Sequence, residues 1–160
     1  MNKSLIRKYN VAGPRYTSYP TVPYWDGEEG FDISDWKSSV TKTFEATNAE
    51  EGISLYIHLP FCERLCHFCG CNKKITRQHS VEEPYVSRVL KEWDLYCEFL
   101  PQKPRLKEMH LGGGTPTFLS AENLHILISG ILSKCDPVDS PEFSFEAHPN
   151  STTYDKMLAL

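Results

Sequence analysis

The sequence has 160 residues, 40% of them hydrophobic and 24% charged, a single-domain length with enough apolar material for a core. Lys+Arg total 17 against Asp+Glu 21, a formal net charge of −4, which argues against a nucleic-acid backbone or an acidic membrane surface as the main partner. The longest apolar-rich stretch, 124–132, is broken by His125, Ser129 and Gly130 and is too short to span a bilayer, and residues 1–8 hold no apolar signal-peptide core. The expectation is a cytoplasmic protein with no nucleic-acid and no membrane partner.

Residues 1–52 differ from the rest. They contain Pro14, Pro20 and Pro23, the aromatics Tyr9, Tyr16, Tyr19, Tyr24 and Trp25, and the run Asp26-Gly27-Glu28-Glu29-Gly30. X-Pro steps favour extended backbone, so residues 1–25 are predicted to form an irregular arm, and its aromatics argue that it docks on something. Trp36, Val40 and Phe44, four apart, predict one short helix over Ile33–Thr47.

From Ile53 the pattern is regular. Ile53, Leu55, Ile57 and Leu59 alternate with Ser54, Tyr56 and His58 as a two-faced strand. Val86, Val89, Leu90, Trp93, Cys97 and Leu100 fall at helical steps, with Pro84 in the first turn, where proline is tolerated. A second strand is predicted over 106–111, ended by Gly112-Gly113-Gly114. Ser120 is the predicted N-cap of a helix with the stripe Leu124, Leu127, Ile128, Ile131, Leu132 and Cys135. Phe143, Phe145 and Ala147 alternate with Ser144, Glu146 and His148 as a third strand, and Ser151 is a candidate cap for a further helix.

Strand and helix alternate three times, which is α/β with parallel strands. The expected division is an arm and short helix over 1–52, then about three βα units over 53–160, the N-terminal portion of a TIM-type βα barrel. A three-stranded sheet ending there would expose a strand edge, so a fragment of a longer protein, or a truncated gene, is expected.

Six cysteines are present, and Cys62, Cys66, Cys69 and Cys71 lie in one short segment after the first strand. Such clustering reads as metal ligation rather than a disulfide scaffold. Cys62-x3-Cys66-x2-Cys69 sits on the loop where an α/β protein places its active site. Three thiolates can hold three irons of a [4Fe–4S] cluster and leave the fourth iron open to a small molecule. Cys71 is a possible fourth ligand. Zinc is the competing reading, although it prefers four ligands in two separated pairs. Cys97 and Cys135 lie on apolar helical stripes and read as small core residues.

Tyr56-Ile57-His58-Leu59-Pro60-Phe61-Cys62, the cysteine loop and Gly112-Gly113-Gly114-Thr115-Pro116-Thr117 together resemble the radical S-adenosylmethionine (SAM) enzymes. Gly13-Pro14-Arg15-Tyr16-Thr17-Ser18-Tyr19-Pro20-Thr21, Phe68-Cys69-Gly70-Cys71-Asn72 and Thr76-Arg77-Gln78 narrow the resemblance to oxygen-independent coproporphyrinogen III oxidases. It runs over nearly the whole sequence and is weakest across 22–52.

The resemblance implies a [4Fe–4S] cluster on Cys62, Cys66 and Cys69, whose open iron binds SAM and cleaves it to methionine and a 5′-deoxyadenosyl radical. It implies that Tyr56, Gly113 and Glu146 contact this SAM, and that Phe68, Gly114 and Thr115 contact a second SAM molecule. At one point the sequence departs from the family pattern, with His148 where an acidic residue is expected. His58 and His110 lie near the strand mouths, and His110 is expected to be a packing residue. A sharper expectation is that the arm covers the mouth and that Arg15 helps hold a substrate carboxylate.

The implied activity is oxidative decarboxylation of two propionates of coproporphyrinogen III to vinyls, giving protoporphyrinogen IX. The implied partners are that substrate and an unidentified electron donor and acceptor, acting on a monomer, with little or no turnover from these 160 residues alone. Two alternatives stay open. One is a related haem chaperone, whose members usually lack the second cysteine of Cys69-Gly70-Cys71 and the arm sequence. The other is an inactive iron–sulfur or zinc module.

Overall fold

A computed structural model describes residues 3–10, 32–67 and 69–160, so Arg15, Tyr16 and Phe68 lie outside the described residues. The chain forms two compact units, Met1–Asp35 and Trp36–Leu160. In the first, α1 (Lys3–Tyr9) replaces the predicted irregular backbone at the start of the arm. Its basic residues Arg7 and Lys8 lie in the last turn, where the helix dipole favours positive charge. Just before α2 (Ile33–Thr47), the Asp32 carboxylate accepts the Ser34 hydroxyl at 2.6 Å.

In the second unit, Trp36 of α2 meets Tyr96 and Phe99 edge-on, with ring centroids 5.5 and 5.6 Å apart. The turn after α2 is fixed by Asn48, only 3% exposed. Its Oδ1 accepts the Arg105 N–H at 2.8 Å and its Nδ2 donates to the Lys103 carbonyl at 3.2 Å. Both ends of a buried amide are thereby satisfied.

The main sheet has three parallel strands in the order β1 (Ile53–Leu59), β4 (Arg105–Gly113), β5 (Asp136–Phe145). The crossovers are α3 (Glu82–Phe99) and α4 (Ala121–Leu132). α3 starts with Glu82 and Glu83, which complement its dipole, and Pro84 falls in its first turn as expected. Ser120 caps α4 as predicted, its hydroxyl accepting the Asn123 N–H at 3.2 Å. One face of the sheet packs on these helices through Ile57, Leu59, Met109 and Leu111 against Val86, Trp93, Leu124, Leu127 and Ile131. The fold is therefore α/β with parallel strands, three βα units of the kind that build a βα barrel.

Three local expectations are corrected. β4 runs on through Gly112 and Gly113 rather than ending before them. β5 begins at Asp136, with Pro137 opposite Leu106 and an irregularity between Pro137 and Glu142 that takes in Pro141 on an edge strand. Ser151 does not cap α5 (Tyr154–Ala159); Thr153 holds that position, and the Ser151 hydroxyl pairs instead with the Thr117 hydroxyl at 2.9 Å.

Candidate functional site

At the C-terminal end of β1, Pro60 turns the chain into the short strand β2 (Phe61–Cys62), which pairs in parallel with β3 (Lys74–Ile75). The Lys74 N–H donates to the Pro60 carbonyl at 2.7 Å and the Thr76 N–H to the Cys62 carbonyl at 2.9 Å. This pairing closes the segment between the strands into a loop that carries Cys66, Cys69 and Cys71. Cys62 is buried at the anchored end, Cys69 is half-buried, and Cys66 and Cys71 are exposed.

The loop distinguishes Cys69 from Cys71. The Cys71 N–H beside the Cys69 thiol, with help from the Lys73 ammonium, holds that thiol below its usual range despite some burial. The hydrogen bond and charge of Cys69 push the Cys71 thiol up. Cys69 is thus the member of the pair that favours thiolate, the form that binds metal. Lys73 also donates to the carbonyls of Cys69 and Cys71, at 3.1 and 3.3 Å.

Among the described residues, no three His, Cys, Asp or Glu side chains converge on one metal position. The donor set is what bears on a cluster: three thiols at this spacing can each bond a different iron. Three thiols on one loop, one anchored and one predisposed to ionise, fit the cluster.

A cavity of about 90 Å³ lies beside the anchored thiol, lined by Cys62, Cys66, Thr115, Phe118, His148 and Ser151 among others. The Thr115 hydroxyl donates to the Cys62 sulfur at 3.4 Å. His148 therefore stands next to the cysteines. Its Nδ1 accepts the Asn150 N–H at 3.3 Å, which leaves the ring proton on Nε2 when the imidazole is neutral. The loop bearing it is tied to the glycine turn: the His148 N–H donates to the buried Thr117 hydroxyl at 3.2 Å, and Lys156 Nζ donates to the Thr117 carbonyl at 2.7 Å.

The second grouping lies on the sheet face opposite the helices. Register places Tyr56, His110 and Ser144 in one row across the three strands. Tyr56 stacks on His110 with centroids 5.8 Å apart, and His110 Nδ1 lies 2.8 Å from the Ser144 hydroxyl. The Tyr56 hydroxyl lies 3.2 Å from His58 Nδ1, and His58 Nε2 is 2.7 Å from the Asn72 carbonyl in the cysteine loop. Burial first, then the charges of Glu146 and Cys71, push the Tyr56 phenol up. His110 packs, as its stacking on Tyr56 shows, but on the open polar face of the sheet, 3.9 Å from the Glu146 carboxylate.

Glu146, one residue beyond β5, closes the grouping by accepting the Gly113 N–H at 3.1 Å. Gly113 has φ +108, and a Cβ there would lie 2.5 Å from the His58 ring. A Cβ on Gly114 would lie 2.6 Å from the backbone of Pro60. Both glycines are thus demanded by the close approach of the β4 exit to β1. Tyr56, Gly113 and Glu146 come together at the mouth, whereas Cys62, Cys66 and Thr115 meet at the small cavity. The sequence places His58 and His110 near the strand mouths, but their contacts with Tyr56, Ser144 and Asn72 depend on strand register and loop closure, which it does not reveal. A larger groove of about 700 Å³ between α2, β1 and α3 touches Tyr56 and His58, but no cysteine lines it. Donor chemistry, not size, identifies the site.

The parallel sheet with a cysteine loop at the end of its first strand defines a class. The chain belongs to the radical SAM superfamily, whose family model matches residues 56–160. Membership implies a [4Fe–4S] cluster and SAM. Within the superfamily the chain belongs to the oxygen-independent coproporphyrinogen III oxidase family. It is 37% identical over 146 residues to such a protein of Mannheimia haemolytica, covering 91% of this chain and 94% of that one. It is 35% identical over 156 residues to the protein of that name from Pseudomonas aeruginosa, covering 96% of this chain and 33% of the relative. It is similar in structure to the coproporphyrinogen III oxidase of Escherichia coli, described as a radical SAM enzyme, with TM-score 0.77 and 30% identity over 98% of this chain and 33% of that one. The chain spans about a third of the length of several curated relatives it matches. Among the described residues no helix is long and apolar enough to cross a membrane.

Proposed function

We propose that the chain forms the cluster- and SAM-binding part of an oxygen-independent coproporphyrinogen III oxidase. The observation that supports this most is the chain of contacts from Tyr56 through His110 to Glu146 and Gly113, with His58 reaching the Asn72 carbonyl of the cysteine loop. In this reading Cys62, Cys66 and Cys69 hold three irons of the cluster. Tyr56, Gly113 and Glu146 hold the SAM on the open iron, and Phe68, Gly114 and Thr115 contact a second SAM molecule. When bound, the cluster and SAM supply a 5′-deoxyadenosyl radical, the oxidant needed to attack an unactivated propionate.

The chain's own residues orient and shield. The Gly113 amide fixes one Glu146 oxygen and leaves the other free to accept hydrogen bonds, a geometry suited to a ribose hydroxyl. Tyr56 is 57% exposed, yet its stacking on His110 limits its freedom, so it offers a preset wall to a cofactor. The substrate of the whole enzyme is coproporphyrinogen III, which loses two propionate carboxyls to give vinyls, with a separate electron donor and acceptor. The enzyme acts as a cytoplasmic monomer, and the 160-residue chain alone has little or no porphyrinogen turnover.

The test is anaerobic reconstitution of this chain with iron and sulfide, reduction by dithionite, and measurement of 5′-deoxyadenosine from SAM. SAM cleavage without protoporphyrinogen formation is expected. Absence of cleavage contradicts the reading, and tight haem binding without cleavage would favour the chaperone alternative. Strong porphyrinogen turnover would contradict the need for the remaining two thirds of the relatives' length.

A further inference from the structure

We infer that Thr115 tunes the reduction potential of the cluster by donating its hydroxyl to the sulfur of Cys62. The inference rests on the proposed cluster ligation. Thr115 is clamped from both sides: its N–H donates to the Phe61 carbonyl at 2.9 Å, and its own carbonyl accepts the Phe118 N–H at 2.8 Å. This places its hydroxyl 3.4 Å from the Cys62 sulfur. Cys62 is equally constrained, 8% exposed and tied through its carbonyl to Thr76. Contact between two fixed residues is a preset interaction rather than a chance approach of two loop side chains.

The other hydroxyl lining the same cavity, that of Ser151, is engaged by Thr117 and by the His148 carbonyl, at 2.9 and 3.2 Å. Thr115 is therefore the hydroxyl directed at the anchored ligand. A hydroxyl has one proton to donate and two lone pairs. Committing the proton to Cys62 leaves the lone pairs available to accept from a second SAM molecule, so the two roles do not compete.

Reduction adds one electron to the cluster and moves no proton in this scheme. The added negative charge spreads onto the ligand sulfurs, and a hydrogen bond to sulfur stabilises the reduced state more than the oxidised one. The potential rises accordingly. Thr115 thus makes the cluster easier to reduce before SAM is cleaved, without touching the reacting atoms.

The experiment uses this chain, reconstituted anaerobically with SAM omitted, and follows a mediated dithionite titration by the EPR signal of the reduced cluster. Thr115→Val should make reduction about three- to tenfold less favourable, about 28–59 mV lower for a one-electron couple. Thr115→Ser, which keeps the hydroxyl, should stay within about twofold of the parent. Thr115→Ala, with less bulk, is read in the same way as Thr115→Val if the valine variant holds less iron. Equal potentials for the parent and the hydroxyl-free variants would overturn the inference, as would equal shifts in the serine and valine variants, which would indicate packing. A parent chain that takes up no four-iron cluster would contradict the ligation itself, a different result from equal potentials.

Discussion

The Glu146 carboxylate accepts the Gly113 amide at 3.1 Å, joining the exits of two neighbouring parallel strands. This bond fixes a carboxylate that the sequence alone would leave as a solvated strand-end residue. Glu146→Ala should weaken SAM binding to the reconstituted chain at least about tenfold by calorimetry while iron content stays unchanged, a loss in keeping with about 1.5–3 kcal/mol for a charged hydrogen bond. Gly113→Ala should be worse, because its φ of +108 and the His58 ring 2.5 Å from the new Cβ both oppose it. Unaltered SAM binding in both variants would remove Glu146 and Gly113 from the cofactor site.

Asn48 tests the packing that carries the site. It is buried and bonds both the Arg105 N–H and the Lys103 carbonyl at the start of β4. Asn48→Leu leaves those two backbone groups without their partner, at a cost of about 1–3 kcal/mol each. Urea unfolding should show a clear fall in midpoint, and an unchanged midpoint would show that these bonds contribute nothing.

Glu82 predicts a pH dependence. Burial pushes its carboxyl up, but the Ser120 N–H, His79 and Asn123 outweigh that and hold it below the ordinary glutamate range. A carboxyl with a lower pKa folded than unfolded stabilises fully above the unfolded value, about 4.3, and loses that stabilisation as pH falls through the folded value. Glu82→Gln should therefore cost stability at pH 7 and flatten the fall in stability below about pH 5. Parallel pH profiles for parent and variant would contradict this.

The cysteines should separate chemically. Burial pushes the Cys135 thiol up to about 11, and it donates to the Ile131 carbonyl at 3.4 Å. Burial also raises the thiol of Cys97. Iodoacetamide on the metal-free chain at pH 7 should modify exposed Cys66 and the thiolate-favouring Cys69 while sparing Cys135, read by peptide mass spectrometry. Rapid modification of Cys135 in the folded chain would contradict its buried placement.

Much of the architecture was legible because its signals are local. The alternation in β1 and the helical spacing of Val86, Trp93, Leu124 and Leu127 mark the same core that the fold buries. Ser120 was readable as a cap because capping is a contact within one turn. The start of β5 was not: Pro137 and Pro141 argue against a strand, and only its edge position permits them. α1 was hidden by the prolines and aromatics that follow it. The partners of His110 were not readable, because only strand register brings Tyr56 and Ser144 to it on the polar face. The contact of Thr115 with Cys62 joins residues 53 apart, and no local pattern announces it.

The most direct test of the cluster and SAM site is the iron and sulfide content of this chain after anaerobic reconstitution, with the reduced EPR spectrum recorded before and after SAM is added. Four irons per chain and a spectrum that changes with SAM are predicted, since three protein thiolates leave one iron open. Bound zinc, or an iron cluster whose spectrum is indifferent to SAM, would contradict it.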